Sequence, residues 1–479
     1  MFDIRVGILL CVLTMAGCAT QAAYVVPAVK LPTSVSDTPT MPGVSPPQVG
    51  WVPAAPADLQ DRGNWWQLFG DPHLSTLEGA ATKSNQSLEA ATARLLQARS
   101  QVRSARAGYF PVVGASAAVN RQRTSANVAG RSLADKTVND FSAGLDVSWE
   151  PDLFGKVAHT VQAAKAREEA SAADWAALRL SIQGEVAVDY FDLKDALRQR
   201  TILQQSVVSY ERAGDLVQAR FNAGIASDLE VAQSQTQLQT TQAQLQDISI
   251  RVAQLEHAIA TLVNDPGANI NVTANDPDLT LMPIPAELSS DLLQRRPDIA
   301  AAERRVFASY SDVSTAQSAF FPDLLLAASG GRESSTVTNW LTLPSRFWTA
   351  GPSLVGTIFD GGRRQSQVEL TKAQYREAIA NYRQVVLTAF QEVQDQLQAA
   401  QQLQGEAQFQ AAAVRSAERA LRVATDRYRA GAVSYLEVVT AQSTALANER
   451  TAADISRRQL EASVRLIKAV GGQWTGASA

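Results

Sequence analysis

Two very long helices are the strongest constraint that the sequence places on the fold. Residues 156–221 contain no proline, and Asn222-Ala223-Gly224 follows them as a helix stop with glycine just past the end. At about 1.5 Å per residue, such a helix is about 99 Å long, roughly three times the length of a membrane span. A second stretch of the same kind covers residues 362–428 and closes at Arg429-Ala430-Gly431. We therefore expect a chain that bridges a distance.

The two long helices belong to an internal repeat. Arg220-Phe221-Asn222-Ala223-Gly224 corresponds to Arg427-Tyr428-Arg429-Ala430-Gly431, and Leu229-Glu230-Val231 corresponds to Leu436-Glu437-Val438. Both pairs of segments are 207 positions apart (427 minus 220, and 436 minus 229). We therefore predict a duplicated unit of helix, two strands, long helix and helix. The first helix of the first copy is expected to run without a break over residues 74–108, and a short helix around residues 286–294 is expected before the second copy. The expected segments are a lipoprotein signal peptide at 1–17, a lipidated proline-rich extended segment at 18–63, a first repeat at 64–264, a connector or equatorial segment at 265–294 and a second repeat at 295–479.

The first residues of the chain indicate export. Arg5 precedes an apolar run from Val6 to Met15, which is too short to span a bilayer as a helix. The small residues Ala16-Gly17 then stand directly before Cys18, and this arrangement resembles a bacterial lipobox. In that interpretation Cys18 is acylated, carries palmitate and becomes the first residue of the mature chain. The alternative is a plain secretory signal. Ala19 after the cysteine suggests sorting to the outer membrane of a Gram-negative cell.

Charge and residue usage exclude several classes of function. The chain has 43 Lys and Arg against 47 Asp and Glu, a net charge of −4, which gives no basis for nucleic-acid binding. Its histidines, His73, His159 and His257, are scattered and lack metal-ligand spacing. No catalytic triad or phosphate loop is visible, and the expected mature chain has no cysteine pair, because Cys11 would leave with the signal peptide. We expect no enzyme activity and no cofactor.

Two pairs of strand-like segments suggest a membrane sheet. They cover residues 112–121, 141–149, 324–331 and 348–359. Each has about the 9 to 11 residues that a tilted strand needs to cross a bilayer. Four strands cannot close a barrel, and an open edge cannot exist in lipid, so strands must be pooled between chains. Three chains would supply three times four, that is about twelve strands, an even number within the known range. The alternative is a soluble β-hairpin domain that caps a coiled coil.

Four motifs carry a resemblance to a known family. They are Trp65-Trp66-Gln67-Leu68-Phe69-Gly70-Asp71-Pro72, Arg295-Arg296-Pro297-Asp298-Ile299, Phe320-Phe321-Pro322 and Ile358-Phe359-Asp360-Gly361-Gly362-Arg363. With these motifs the mature chain resembles the TolC/OprM-type outer-membrane efflux factors, in particular the lipoprotein branch that serves RND pumps. The resemblance covers nearly the whole mature chain.

This resemblance implies both a fold and a function. The implied fold is mainly α with a membrane portion, a homotrimer in which a 12-stranded β-barrel continues into a long α-helical barrel through the periplasm. The implied function is the outer-membrane channel of a tripartite efflux pump, a passive exit duct for small molecules. The implied partners are a periplasmic adaptor, an inner-membrane RND pump and the lipid of the outer membrane.

A gate is expected at the turns around Gly224 and Gly431, which lie at the ends of the long helices opposite the strands. Its candidate residues are Arg220, Asp228, Glu230, Arg427, Tyr428, Leu436 and Glu437. In the family an acidic ring narrows the entrance near this position, and six carboxylates from Glu230 and Glu437 would form one. Thr440 stands where the family often has Asp. The alternative is that the acids lie at solvated helix N-termini, the basic residues cap helix C-termini and the leucine packs in a core.

Two other functions remain open from the sequence. The duct could serve a type I secretion system, or the chain could be a lipid-anchored periplasmic coiled-coil scaffold. The sequence does not identify the cargo, the pump or the adaptor.

Overall fold

The computed structural model describes residues 24–32, 34–36, 49–52, 63–127, 136–267, 270, 272, 287–289 and 295–472. Cys18 and the predicted signal peptide lie outside these residues, as do parts of the proline-rich segment and of the connector. The described helices are α1 (Pro72–Ser84), α2 (Gln86–Ala107), α3 (Lys156–Asn222), α4 (Asp228–Leu262), α5 (Pro297–Ser318), α6 (Arg363–Arg429) and α7 (Tyr435–Ala469). The described strands are β1 (Val29–Pro32), β2 (Ser34–Ser36), β3 (Val49–Val52), β4 (Val112–Arg123), β5 (Thr137–Trp149), β6 (Glu287–Ser289), β7 (Asp323–Ser334) and β8 (Arg346–Val355).

The long helices α3 and α6 each contain 67 residues, and each ends one residue beyond its predicted end. The predicted continuous helix over residues 74–108 is wrong, because Asn85 divides it into α1 and α2. The backbone of Asn85 is extended, and its side-chain oxygen accepts hydrogen bonds from the amides of Ser87 and Leu88. Its side-chain nitrogen donates to the carbonyl of Leu262 at 2.9 Å, which fixes the break against the end of α4. Asn85 thus ends one helix and caps the next.

A second predicted helix is also wrong. The sequence suggested a short helix near residues 286–294, but residues 287–289 form β6, which pairs antiparallel with β2. The pairing joins the connector to the proline-rich segment. β1 and β3 of that segment pair with each other in the same way.

The chain divides into two compact units. The first contains residues up to 26, residues 95–171 and residues 302–382. The second contains residues 27–94, 172–301 and 383–479. No helix in the described part of the chain combines the length and the hydropathy that a bilayer-crossing helix needs.

The first unit carries a four-stranded antiparallel sheet in the order β4-β5-β7-β8. Residues that lie opposite each other in such a sheet share a face. Val113, Val147, Ala328 and Ala350 form one row across the four strands, and the next row, Gly114, Asp146, Ser329 and Thr349, is polar. The two kinds of row alternate.

We call the side with the apolar rows the apolar face and the other side the polar face. The apolar face carries Val113, Ala115, Ala117, Val119, Phe141, Ala143, Leu145, Val147, Trp149, Leu324, Leu326, Ala328, Gly330, Trp348, Ala350, Pro352 and Leu354. Several of its large side chains are exposed in the single chain, for example 69% of Val119 and 58% of Leu145. Such a surface needs a hydrophobic environment.

The second unit contains the main core, which is built around Trp65, Phe69 and Phe191. The motif that begins at Trp65 ends in a cap of α1, where Asp71 accepts hydrogen bonds from the amides of His73 and Leu74. The same carboxylate accepts a hydrogen bond of 2.6 Å from the hydroxyl of Tyr190 and lies 3.3 Å from Nζ of Lys194. Burial would raise the pKa of Asp71, but these hydrogen bonds and the lysine outweigh it and hold the pKa below its usual value. The motif therefore fastens α1 to α3.

The second unit also holds the Arg295-Arg296-Pro297-Asp298 motif. The guanidinium of Arg296 donates to Asp298 at 2.7 Å, to Glu392 of α6 at 2.6 Å and to the carbonyl of Ala469 at 3.1 Å. It thereby links the start of α5 to α6 and to the end of α7. Proline and aspartate suit a helix start, and these contacts give the motif a structural role.

Candidate functional site at the helix turns

The two helix turns of the repeat have the same backbone geometry. Gly224 and Gly431 both have φ +74°, a left-handed conformation that glycine adopts at no steric cost. The amide of Ile225 donates to the carbonyl of Arg220 at 2.8 Å, and the amide of Ala432 donates to the carbonyl of Arg427 at 2.9 Å. These 6→1 bonds are Schellman motifs, which satisfy the last carbonyls of α3 and α6. Both turns belong to the second unit.

Arg220 and Tyr428 join the ends of the two long helices. The guanidinium carbon of Arg220 lies 4.7 Å from the ring centroid of Tyr428, and Nη1 donates to the carbonyl of Tyr428 at 2.9 Å. A cation over an aromatic face contributes about 0.5–2 kcal/mol, depending on desolvation. Tyr428 is only 3% exposed, so this contact is well shielded from water.

Tyr435, which was not among the predicted gate residues, is the centre of this cluster. Its side chain is 1% exposed, and its ring lies 5.2 Å from that of Tyr428 at 61°. Burial, followed by the neighbouring Tyr428 and Tyr210, raises the pKa of Tyr435 to about 12. The repeat offset of 207 aligns Tyr435 with Asp228, so the signal was a tyrosine where the other copy has an acid.

Glu230 contacts this cluster, whereas its repeat equivalent Glu437 does not. An oxygen of Glu230 lies 3.5 Å from the backbone amide of Tyr435, where the N-terminus of α7 favours negative charge. Burial raises the pKa of Tyr428, the carboxylate of Glu230 raises it further and Arg220 opposes both. Glu437 is exposed. The structure thus brings Arg220, Tyr428 and Glu230 together around Tyr435.

The other predicted gate residues lie on the surface of the turns. Asp228 and Arg427 are exposed, and Leu436 is 54% exposed, so this leucine is not a core residue. Arg427, Leu436 and Glu437 line a groove of about 770 Å³ between α6 and α7. The groove is also lined by Arg419, Val423, Thr440 and small residues of both helices. It offers charged and apolar surface, and we identify no nucleophile–base pair in it.

A metal site requires several ligand side chains close together. Within the described ranges, no three or more His, Cys, Asp or Glu side chains are grouped as metal ligands would be.

Comparison with known proteins agrees with this geometry. The sequence model of the outer membrane efflux protein family matches residues 77–265 and 288–472, one match to each copy of the repeat. The pyoverdine export outer membrane protein OpmQ of Pseudomonas aeruginosa is 32% identical over 436 residues, which cover 90% of this chain and 91% of the relative. Outer membrane protein OprJ of the same organism is 31% identical over 472 residues, which cover 98% of this chain and 96% of the relative.

A solved structure gives the same result for the fold. The Campylobacter jejuni CmeC outer membrane channel superimposes with a TM-score of 0.81 at 26% identity, over 93% of this chain and 96% of that one. The family consists of channels rather than enzymes, and the match decides against the coiled-coil scaffold. The chain therefore belongs to the outer membrane efflux protein family and is the outer-membrane channel component of a tripartite efflux pump.

Proposed function

We propose that three copies of this chain close a passive exit duct for small molecules. The observation that carries the proposal is a four-stranded sheet with one apolar face and two edges, β4 and β8, that have no strand partner among the described residues. An unpaired edge in lipid costs several kcal/mol for each lost hydrogen bond, so the edges must pair with other copies. In a homotrimer, β8 of each copy pairs with β4 of the next, and three times four gives about twelve strands.

The partners follow from the same proposal. A duct in the outer membrane needs an energy source elsewhere, so a periplasmic adaptor and an inner-membrane RND pump would supply substrate at the end that carries the helix turns. The duct itself needs only to be wide and polar, and the polar face of the sheet with Asp146, Ser329 and Thr349 suits its inner wall. Selection of the cargo would then lie in the pump.

Lipid on Cys18 would provide a second attachment to the outer membrane. Tyr24, six positions later, is held in the first unit, where its hydroxyl donates to Glu303 at 2.7 Å and its ring packs on Phe307. Six residues of extended chain reach about 20 Å at most. The acyl chains on Cys18 would therefore enter the bilayer within about 20 Å of Tyr24, in the unit that carries the sheet.

The helix turns would form the gate of the duct. In this proposal Arg220, Tyr428 and Glu230 hold the ends of the helices together in the closed arrangement. Asp228, Arg427, Leu436 and Glu437 present exposed charge and apolar surface, and these would line the entrance or contact the adaptor. Opening would separate the ends of α3 and α6, a shift between two packings of the same helices.

Planar-bilayer recording of the purified, lipidated protein tests this function. We expect discrete, ion-conducting channels of low conductance, because the closed gate restricts the pore, and higher conductance when the contacts at the turns are removed. Stable insertion without any channel, in the wild type and in all gate variants, would contradict the proposal.

A further inference from the structure

The charged residues of the sheet are separated completely by sign between its two faces. On the apolar face the charged residues are all arginines, namely Arg121, Arg123, Arg332 and Arg346. The acidic residues of the same strands, Asp140, Asp146, Asp323 and Glu333, all lie on the polar face. An apolar face with positive charge alone requires an explanation.

The four arginines also lie at one end of the sheet. They are at the strand ends that lead into the β4–β5 and β7–β8 connections, whereas the opposite strand ends lead into helices. In a membrane barrel, an arginine on the lipid face costs about 2–4 kcal/mol at the midplane and about 0–1 kcal/mol near the interface. The cluster is therefore at the level where its charge reaches the lipid headgroups.

Two of these arginines are directly opposite each other. Arg332 of β7 pairs with Arg346 of β8 in the register, and like charges in this position destabilise a strand pair. Each donates one hydrogen bond to a loop carbonyl, Arg332 to Thr342 and Arg346 to Leu343, both at 3.3 Å. In the part of the chain that the structure describes, neither forms an ion pair. An anion between the two guanidinium groups would remove the repulsion.

Trp348 marks the same level of the sheet. It follows Arg346 by two residues on the apolar face and is 81% exposed. Exposed tryptophans at the ends of membrane strands lie in the interfacial girdle, beside the polar headgroups. The arginine pair is thus next to a residue that is typical of the headgroup region.

We propose that Arg121, Arg332 and Arg346 bind the phosphate groups of the phosphorylated glycolipid in the outer leaflet of the membrane. The inference rests on the proposed trimer, in which β8 of one copy lies beside β4 of the next. At each junction between two copies, Arg121 of one copy then lies beside the Arg332–Arg346 pair of its neighbour. Guanidinium groups bind phosphate through paired N–H donors, and several arginines on neighbouring strands match a sugar headgroup that carries more than one phosphate. The bound lipid bridges two copies of the chain.

Native mass spectrometry of the full-length protein in detergent tests the inference, with lipid A as the phosphorylated glycolipid and its dephosphorylated form as the comparison. We expect the wild-type trimer to retain lipid A and to bind the dephosphorylated form at least about tenfold more weakly than lipid A. The triple variant Arg121→Gln, Arg332→Gln, Arg346→Gln should show a similar loss. The matched control Arg94→Gln, Arg103→Gln, Arg212→Gln removes three exposed charges from helices and should bind as the wild type does.

Several results would overturn the inference. They are equal binding of both forms of the lipid by the wild type, unchanged binding by a triple variant that is still trimeric, or equally tight binding of phosphatidylglycerol. If the triple variant does not assemble, Arg346→Lys takes its place, because lysine keeps the charge but loses the paired N–H donors. We then expect at least about threefold weaker binding of lipid A. Unchanged binding by Arg346→Lys would again overturn the inference. The same spectra report the number of chains, so a failure of the trimer is distinguished from a failure of lipid binding.

Discussion

Arg220 at the end of α3 and Tyr428 at the end of α6 contact each other through both a ring and a carbonyl. The guanidinium lies 4.7 Å from the ring centroid and donates to the main-chain oxygen at 2.9 Å. The repeat equivalents behave differently, since Arg427 is exposed and Phe221 is 39% exposed. The two copies of the duplicated unit have therefore diverged at the turns, and only one of the two arginines holds the helices together.

Loss of this contact should open the channel. Arg220→Ala removes a hydrogen bond and a cation–ring contact that together contribute about 1–3 kcal/mol, so the closed-to-open equilibrium should shift by roughly 5- to 150-fold. We expect the mean conductance in planar bilayers to rise several-fold. Arg427→Ala, at the equivalent exposed position, is the control and should have little effect. Equal behaviour of the two variants would mean that the Arg220–Tyr428 contact does not hold the gate.

The two equivalent carboxylates should have separable roles. Glu437 is exposed beside the groove, so Glu437→Lys should weaken block of the pore by divalent cations and change its ion selectivity. The carboxylate of Glu230, a residue of α4, lies near the N-terminus of α7, so Glu230→Gln should chiefly lower the stability of the closed turn, by about 0.3–1 kcal/mol. Single-channel recordings with and without Mg²⁺ measure the first effect. Unchanged block in the Glu437 variant would exclude this residue from the ion path.

Glu78 should make the stability of the second unit depend on pH. Its side chain is 0% exposed, and neither carboxylate oxygen has a hydrogen-bond partner among the described residues. Burial raises its pKa to about 9, whereas in the unfolded chain the pKa is about 4.3. Below about pH 4 both states hold the proton. As the pH rises towards 9 only the unfolded state releases it, so stability falls across this window.

The substitution Glu78→Met should therefore stabilise the protein at pH 8 and much less at pH 5. The gain in the free energy of unfolding at pH 8 is on the order of a few kcal/mol, because the folded state no longer has to keep a carboxyl protonated at that pH. Glu89→Met, at an exposed position of α2, is the matched control and should show no such pH dependence. Thermal unfolding in detergent at the two pH values measures the difference. A pH-independent gain would show that Glu78 is already ionised in the fold.

A new charge should reduce membrane insertion when it is placed on the apolar face of the sheet but not when it is placed on the polar face. Ala328 and Ser329 are neighbours in the middle of β7, with Ala328 on the apolar face and Ser329 on the polar face. Ala328→Arg should reduce the amount of folded protein in the outer membrane, since an arginine at the midplane costs about 2–4 kcal/mol. Ser329→Arg should insert normally. Membrane fractionation and heat-modifiability on gels compare the two, and equal insertion would contradict the assignment of the faces.

Much of the fold was predictable because its signals are local. Gly224 and Gly431 mark the ends of α3 and α6 to within one residue, since a left-handed turn requires glycine there. The break at Asn85 was missed, because asparagine is tolerated inside helices and the break depends on a hydrogen bond to the distant Leu262. The strand β6 was mistaken for part of a helix for a similar reason, since its three residues form a strand only through pairing with the distant β2.

The candidate site was predictable in part. The repeat identified the turns and their charged residues, but burial at the turns depends on how the helices pack. Sequence comparison of the two copies could not tell that Arg220 is engaged and Arg427 exposed. Tyr435 and Glu78 both left a signal, the first as a mismatch with Asp228 and the second as an acid on the apolar stripe of Leu74 and Ala81. The structure shows why these positions matter, because it shows that both side chains are buried.

The number of chains in the assembled protein tests the central claim most directly. Mass photometry of the protein extracted from membranes in mild detergent, corrected for bound detergent, measures it. We predict a single species with three times the mass of one chain, because three four-stranded sheets are needed to close the edges at β4 and β8. A stable monomer, or a closed assembly of two or four chains, would contradict it.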